Sequence, residues 1–148
     1  MDLEPHWTVT VDPLTTAIGI VHVQVEHDIG KRVSVYAGPS LRVFDGILAD
    51  TNGPWTAIGA EVGVRGFFWG DAPEGGWVMA RGVLGWASTA DSGNLAGYTS
   101  GLVGYTAVLG PGLVLSGGLG VSWFDYGSGG YGVYGLAPAA HTNVGWGF

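Results

Sequence analysis

Between residues 32 and 69 the chain alternates polar and apolar side chains with a strictness that few folds accommodate. In the run from Arg32 to Phe44, one parity holds Arg32, Ser34, Tyr36, Gly38, Ser40 and Arg42, and the other holds Val33, Val35, Ala37, Pro39, Leu41 and Val43. In the run from Trp55 to Trp69 the split recurs, with Glu61, Gly63 and Arg65 against Ile58, Ala60, Val62, Val64, Gly66 and Phe68. Successive side chains of a strand point to opposite faces, so each run has one apolar and one polar face. A soluble barrel would turn the apolar face inward. Here the polar face is crowded with glycine while the apolar face is broad and continuous, which fits the reversed arrangement of a transmembrane β-barrel.

Composition supports the same reading. The chain is 47% hydrophobic and only 11% charged, with a mean hydropathy of +0.31, whereas a soluble domain carries roughly a quarter charged residues. No stretch reaches the ~18 consecutive apolar residues of a membrane helix, because glycine, serine, threonine or a charge interrupts every candidate run. Twenty-nine glycines without a Gly-X-Y period exclude collagen, and seven tryptophans argue against a disordered linker. One ordered domain, residues 1–148, is the expected organisation.

Several function classes are disfavoured by what the chain contains. A net charge of −7, with five basic residues clustered nowhere beyond Lys31 and Arg32, removes the electrostatic term that nucleic-acid binding needs. The chain has no cysteine, which suits passage through an oxidising periplasm without mispairing. It begins Met1-Asp2-Leu3-Glu4-Pro5, acidic where a secretory signal is basic and without an apolar core segment. This opening is expected of a mature chain without its signal peptide, with Met1 supplied as a start.

Turn residues divide the chain into eight expected strands: 6–12, 16–28, 32–45, 55–69, 76–89, 97–110, 113–126 and 132–148. Tight connections fall at every second junction, at Asp28-Ile29-Gly30-Lys31, at Gly70 to Gly75 and at Gly110-Pro111-Gly112. Residues 46–54, 90–96 and 127–131 form the other, longer set. The first junction, Asp12-Pro13-Leu14-Thr15, is the least regular. An even number of antiparallel strands, with short turns at one end and longer loops at the other, is the pattern of bacterial outer-membrane barrels. All segments but the first reach the roughly 9 to 11 residues that a tilted membrane strand needs. Aromatic residues gather near segment ends. Trp69 and Trp77 flank one turn, Trp86, Trp123 and Tyr126 lie toward the opposite rim, and Trp146 and Phe148 close the chain. Trp77, Trp86, Trp123 and Trp146 are therefore the expected anchors at a bilayer interface.

With these features the chain resembles, over nearly its whole length, the small eight-stranded outer-membrane barrels of the OmpA/OmpX type. The final segment, His141-Thr142-Asn143-Val144-Gly145-Trp146-Gly147-Phe148, is similar to that family's insertion signal, a last strand ending in phenylalanine with apolar or aromatic residues at alternate positions. The resemblance implies an all-β up-and-down barrel delivered to the outer membrane by the barrel-assembly machinery, which would read Trp146 and Phe148. Outer-membrane lipid and lipopolysaccharide are the implied surroundings, and a monomer the implied state. Two prolines depart from the pattern. Pro39 and Pro138 fall inside strands, where a missing N–H predicts a bulge or kink.

The inward parity would carry His22, Gln24, Glu26, Arg42, Glu61, Arg65, Arg81, His141 and Asn143. If Trp69 faces Trp77 across the turn, Arg65 faces Arg81, and two guanidinium groups in register need a carboxylate or anion between them. Glu26 and Glu61 are the expected inward carboxylates, with Arg42 reaching Glu61 diagonally if Phe44 pairs with Ala57. Glu26, Arg42, Glu61, Arg65 and Arg81 thus form the expected lumen cluster. Eight strands leave an interior just wide enough for side chains, so a salt-bridged plug is the first reading. The second is a narrow, porin-like path, with voids at Gly38, Gly59, Gly63, Gly118 and Gly120. The third is a soluble ligand-binding barrel of avidin or lipocalin type.

Catalysis is not expected. The triplet His141-Thr142-Asn143 is faintly similar to a His-x-Ser-Asn motif of outer-membrane lipid A deacylases, but alternation sends His141 and Thr142 to opposite faces, beyond the mutual reach a nucleophile and base require. His22 and Glu26 lie four apart on one strand, ~13 Å distant, so no metal or other cofactor is expected. No phosphate-loop or dinucleotide motif is present. The loop acids Asp45, Asp50, Asp91 and Asp125 could bridge divalent cations to lipopolysaccharide phosphates, although solvated loop charge accounts for them more simply. Val64→Arg and Val35→Arg should oppose insertion, while Gly63→Arg on the lumen parity should be better tolerated if space exists there.

Overall fold

In a computed structural model, which describes residues 5–42, 55–128 and 130–148, the chain forms one antiparallel sheet of eight strands closed into a barrel. The strands are β1 (Trp7–Val11), β2 (Val21–Gly30), β3 (Val33–Arg42), β4 (Thr56–Asp71), β5 (Glu74–Ser88), β6 (Gly93–Leu109), β7 (Leu113–Ser128) and β8 (Tyr131–Gly147). Each pairs with its neighbours in sequence, and β8 returns to β1. The stagger of the wall follows from its register. Val9, Val25, Ala37, Val62, Gly82, Thr99, Trp123 and Leu136 are successive partners around the barrel. Val9 also pairs directly with Trp146, so one circuit is displaced by ten residues along β8. A stagger of this size tilts the strands by about 35–45° to the barrel axis.

The described wall departs from the expected segments mainly at its turns. β4 and β5 run on into the expected Gly70 to Gly75 turn, leaving Ala72 and Pro73 as the connection, and β6 and β7 likewise extend into the expected loops. Gly70 and Gly75 have φ values of +81° and +129°, which only glycine adopts without strain. The first junction is helical. Pro13–Ala17 forms a short helix, α1, in which Asp12 is the N-cap and Pro13 occupies the first turn. Aspartate at the cap and proline directly after it start a helix, because the carboxylate accepts the free amides and proline has no amide to satisfy. This helix shortens β2 at its start relative to the expected 16–28.

Neither proline produces the expected bulge. The register is unchanged across Pro138 and Pro39. At Pro39 the β2–β3 ladder is interrupted between the His22–Ser40 and Val25–Ala37 partners and then resumes in step. The register shifts occur elsewhere, between Asp28 and Gly30 and between Phe67 and Trp69. For Pro138 the reason lies in the direction of its nitrogen. Phe148 and Trp7 exchange both backbone hydrogen bonds, so the even residues of β8 direct their amides toward β1. β1 pairs with no residue of β8 before Val144, and Pro138 lies beyond it, where no ladder bond is lost.

The polarity of the barrel is inverted relative to a soluble one. Val35, Val62, Val64, Val78, Leu84, Val103, Leu119, Val121 and Leu136 are exposed on the outer surface, while Glu26, Arg42, Glu61, Arg65 and Arg81 are buried inside. The apolar and polar parities of β3 and β4 fall on the outer and inner faces as their alternation predicts.

Candidate functional site: the lumen

All nine expected inward residues, His22, Gln24, Glu26, Arg42, Glu61, Arg65, Arg81, His141 and Asn143, are buried in the lumen. Glu26 accepts from Arg65 Nη1 at 2.6 Å and from the Ser34 hydroxyl. Arg65 Nη2 lies 2.8 Å from His141 Nε2. A guanidinium only donates, so Nε2 accepts, and the proton of a neutral ring sits on Nδ1. That nitrogen faces Asp12 Oδ2 at 3.4 Å. Arg65 is further enclosed by the rings of Trp77 and Tyr36, 5.0 and 5.4 Å from its carbon Cζ, and by Met79 Sδ. The other half of the network begins at Glu61, which accepts from Gln24 Nε2 and lies 3.2 Å from His22 Nδ1. His22 Nε2 meets the Tyr98 hydroxyl at 2.9 Å, and the side-chain amides of Gln24 and Asn143 meet at 2.6 Å.

Three expected pairings are corrected. Arg65 is opposite Met79, and Arg81 is opposite Gly63, because the turn pairs Trp69 with Gly76 and not with Trp77, and the irregularity between Phe67 and Trp69 then shifts the ladder by one more residue. The two arginines approach different nitrogens of His141, with Arg81 Nη1 3.3 Å from Nδ1, so an imidazole stands between the like charges where a carboxylate or anion was expected. Arg81 also donates to Ser100 Oγ at 3.4 Å and lies over the Tyr98 ring. Arg42 does not reach Glu61 diagonally, since Gly38 is the partner of Glu61 and Ala57 that of Arg42. Arg42 instead donates to the Trp55 carbonyl and stacks 3.9 Å from the Trp55 ring centroid.

Glu26 and Glu61 are not the only carboxylates inside. Asp12 is fully buried and accepts from Leu14 N, Thr15 N and Thr142 Oγ1 at 3.0, 3.1 and 2.8 Å. Its position was hidden by reading Asp12-Pro13 as a turn. The signal that could have revealed it is the N-cap pattern, aspartate followed by proline and then Thr15 at the third helical position. Thr142 Oγ1 donates to Asp12, not to His141, an arrangement that holds a helix and a strand together. Among the described residues no group of three His, Cys, Asp or Glu is placed to hold a metal ion.

Trp77 is the misplaced anchor. It is 0% exposed, faces the lumen opposite Phe67, and donates from Nε1 to Thr106 Oγ1 at 2.9 Å. Its ring fills the space that side chains at Gly104 and Gly118 would take. Trp86, Trp123, Trp146 and Phe148 are exposed on the outer face, from 46% to 69%. The expected voids at lumenal glycines are filled as well. A Cβ at Gly63 would meet the Tyr36 ring, at Gly118 the Trp77 ring, and at Gly38, Gly59 and Gly120 the backbone of a neighbouring strand. Gly63→Arg therefore has no space to occupy, contrary to expectation. Asp91 and Asp125 are exposed, while Asp45 and Asp50 lie outside the described residues.

The lumen is thus layered. Ile20, Trp55, Tyr98 and Tyr126 pack together toward the long connections, and Tyr36, Phe67, Trp77, Met79 and Leu102 pack toward the end that carries the termini. The charged network lies between these apolar clusters. No protein-family model matches the chain, and neither does any curated protein or solved structure.

Proposed function

We propose that the chain is an integral β-barrel of the bacterial outer membrane, with a structural or interaction role and a lumen plugged by side chains. The observation that carries this reading is the inverted polarity of the wall. Large apolar side chains cover the outside, whereas arginines, glutamates and histidines are buried within. In water such a surface would aggregate, and in a bilayer it replaces lipid contacts at little cost. Closure supports the same reading, because a spanning sheet must satisfy its backbone polar groups internally. The working partners are lipid, lipopolysaccharide on the loop side, and the barrel-assembly machinery during insertion through Trp146 and Phe148. The unit is a monomer.

The role is non-catalytic. The interior histidines are held by Arg65, Tyr98 and Asp12, and the apolar clusters at both ends withhold them from solvent. Refolding into liposomes followed by flotation and planar-bilayer recording tests the reading. Flotation together with a silent bilayer is the expected result. A chain that purifies without detergent and stays with the aqueous fraction would be a soluble ligand-binding barrel. Discrete openings altered by Arg65→Ala and Arg81→Ala would make it a narrow pore.

A further inference from the structure

The β8–β1 seam is the shortest in the wall. β8 runs from Tyr131 to Gly147, but it pairs with β1 only over Val144 to Gly147. Where β1 stops, α1 takes its place, packing on β8 and on the start of β2. A five-residue helix has almost no stability of its own, so what holds α1 is its attachment. Asp12 supplies it. One carboxylate oxygen caps α1 through Leu14 N and Thr15 N and also accepts from Thr142 Oγ1 of β8. The other faces Thr142 N at 3.5 Å and His141 Nδ1 at 3.4 Å. Leu14 N also donates to Thr142 Oγ1 at 3.1 Å. Ile20 follows α1 in the chain and is tied to it by its amide, which donates to Thr15 O at 2.9 Å; it is 7% exposed and belongs to the aromatic cluster with Trp55, Tyr98 and Tyr126. The amides of β8 that point into this seam above Thr142 include the position of Pro138, which has none to offer, so an added strand would find an incomplete ladder there.

Resting on the membrane reading above, we propose that α1 is a strap held to β8 by Asp12 and Thr142, and that its release opens a lateral entrance from the bilayer to the aromatic outer part of the lumen. The chemistry of that entrance suits an extended apolar molecule such as a fatty acyl chain. Its inner surface is Ile20 and aromatic rings, and the polar groups that hold the strap are on α1 and β8 themselves.

The chain has no cysteine, so Ile20→Cys reports on the space behind the strap. In phosphatidylcholine vesicles, the reporter is exposed either to a maleimide on an acyl chain or to a water-soluble maleimide. Adding Thr142→Val should speed the acyl reagent by about tenfold, the change expected when one hydrogen bond is taken from the closed state, and leave the soluble reagent unchanged. Because Thr142→Val also removes a contact of the folded state, a second variant carries Leu14→Cys with Thr142→Cys. With labelling read at residue 20 by peptide mass spectrometry, oxidation should slow the acyl reagent at Ile20→Cys, and reduction should restore it. Equal rates in all forms, or an equal gain for the soluble reagent, overturn the strap alone if the protein floats with the vesicles. Failure to float overturns the strap and the membrane reading together.

Discussion

The two flanks of β8 teach opposite lessons about how a barrel closes. Toward β7 the strand is paired from Tyr131 to Trp146 in unbroken register, and its odd residues, such as Gly147, donate to that side. Toward β1 it is paired only from Val144 onward, and a capped helix with a buried aspartate stands where a strand would continue. The first flank is held by a repeated backbone ladder, which tolerates many side chains. The second depends on a few specific ones, and a single substitution can therefore reach it.

The largest effect expected from breaking this comparison lies just inside the seam. Arg65→Ala leaves Glu26 buried without its partner and should cost about 3–5 kcal/mol, measured by urea unfolding of the refolded protein. Loss within 0.5 kcal/mol of zero would mean that the ion pair is solvated, and the plugged lumen would fall with it. Next comes the outer face, where Val64→Arg or Val35→Arg should cost about 2–4 kcal/mol if these positions lie near a bilayer midplane. Equal folding yields of the parent and both variants in lipid would remove the membrane assignment. Asp12→Ala takes away a cap and the tie to β8, and should cost about 1–3 kcal/mol in the same unfolding experiment. The smallest pair addresses the two flanks directly. Pro138→Ala, with its nitrogen toward the seam, should change stability by less than about 0.5 kcal/mol, whereas Ala137→Pro removes an amide on the β7 side and should cost about 1–3 kcal/mol. Similar effects from both would contradict the assignment of amide directions along β8.

Much of the barrel was legible because alternation has a period of two and the chain rarely departs from it. Val64 and Arg65 are assigned to opposite faces by parity alone, and their exposure agrees. The same rule located every member of the inward set from His22 to Asn143. Parity says nothing about which inward residues meet. That depends on register: the turn at Ala72 and Pro73 sets the ladder one residue away from a Trp69–Trp77 pairing, the irregularity between Phe67 and Trp69 moves it one more, and Arg65 meets Met79 instead of Arg81. Trp77 shares the parity of Met79 and Arg81, so alternation itself turns it inward, where it fills the space left by Gly104 and Gly118 instead of anchoring the surface. Glycines were misread for a related reason. A missing side chain suggests a void in sequence, but in the closed wall a neighbour's ring or backbone occupies it.

By itself, the sequence determined that this chain forms strands with one apolar and one polar face, that these strands number eight, and that the charged residues share the polar side. Those properties follow from side-chain alternation and turn chemistry, which act over a few residues. The closed structure alone decided that His141 separates Arg65 from Arg81, that Asp12 joins α1 to β8, and that aromatic clusters bracket the charges. These outcomes required the two ends of the chain to meet with a stagger of ten residues, and pairings set by ring closure have no local signature to read.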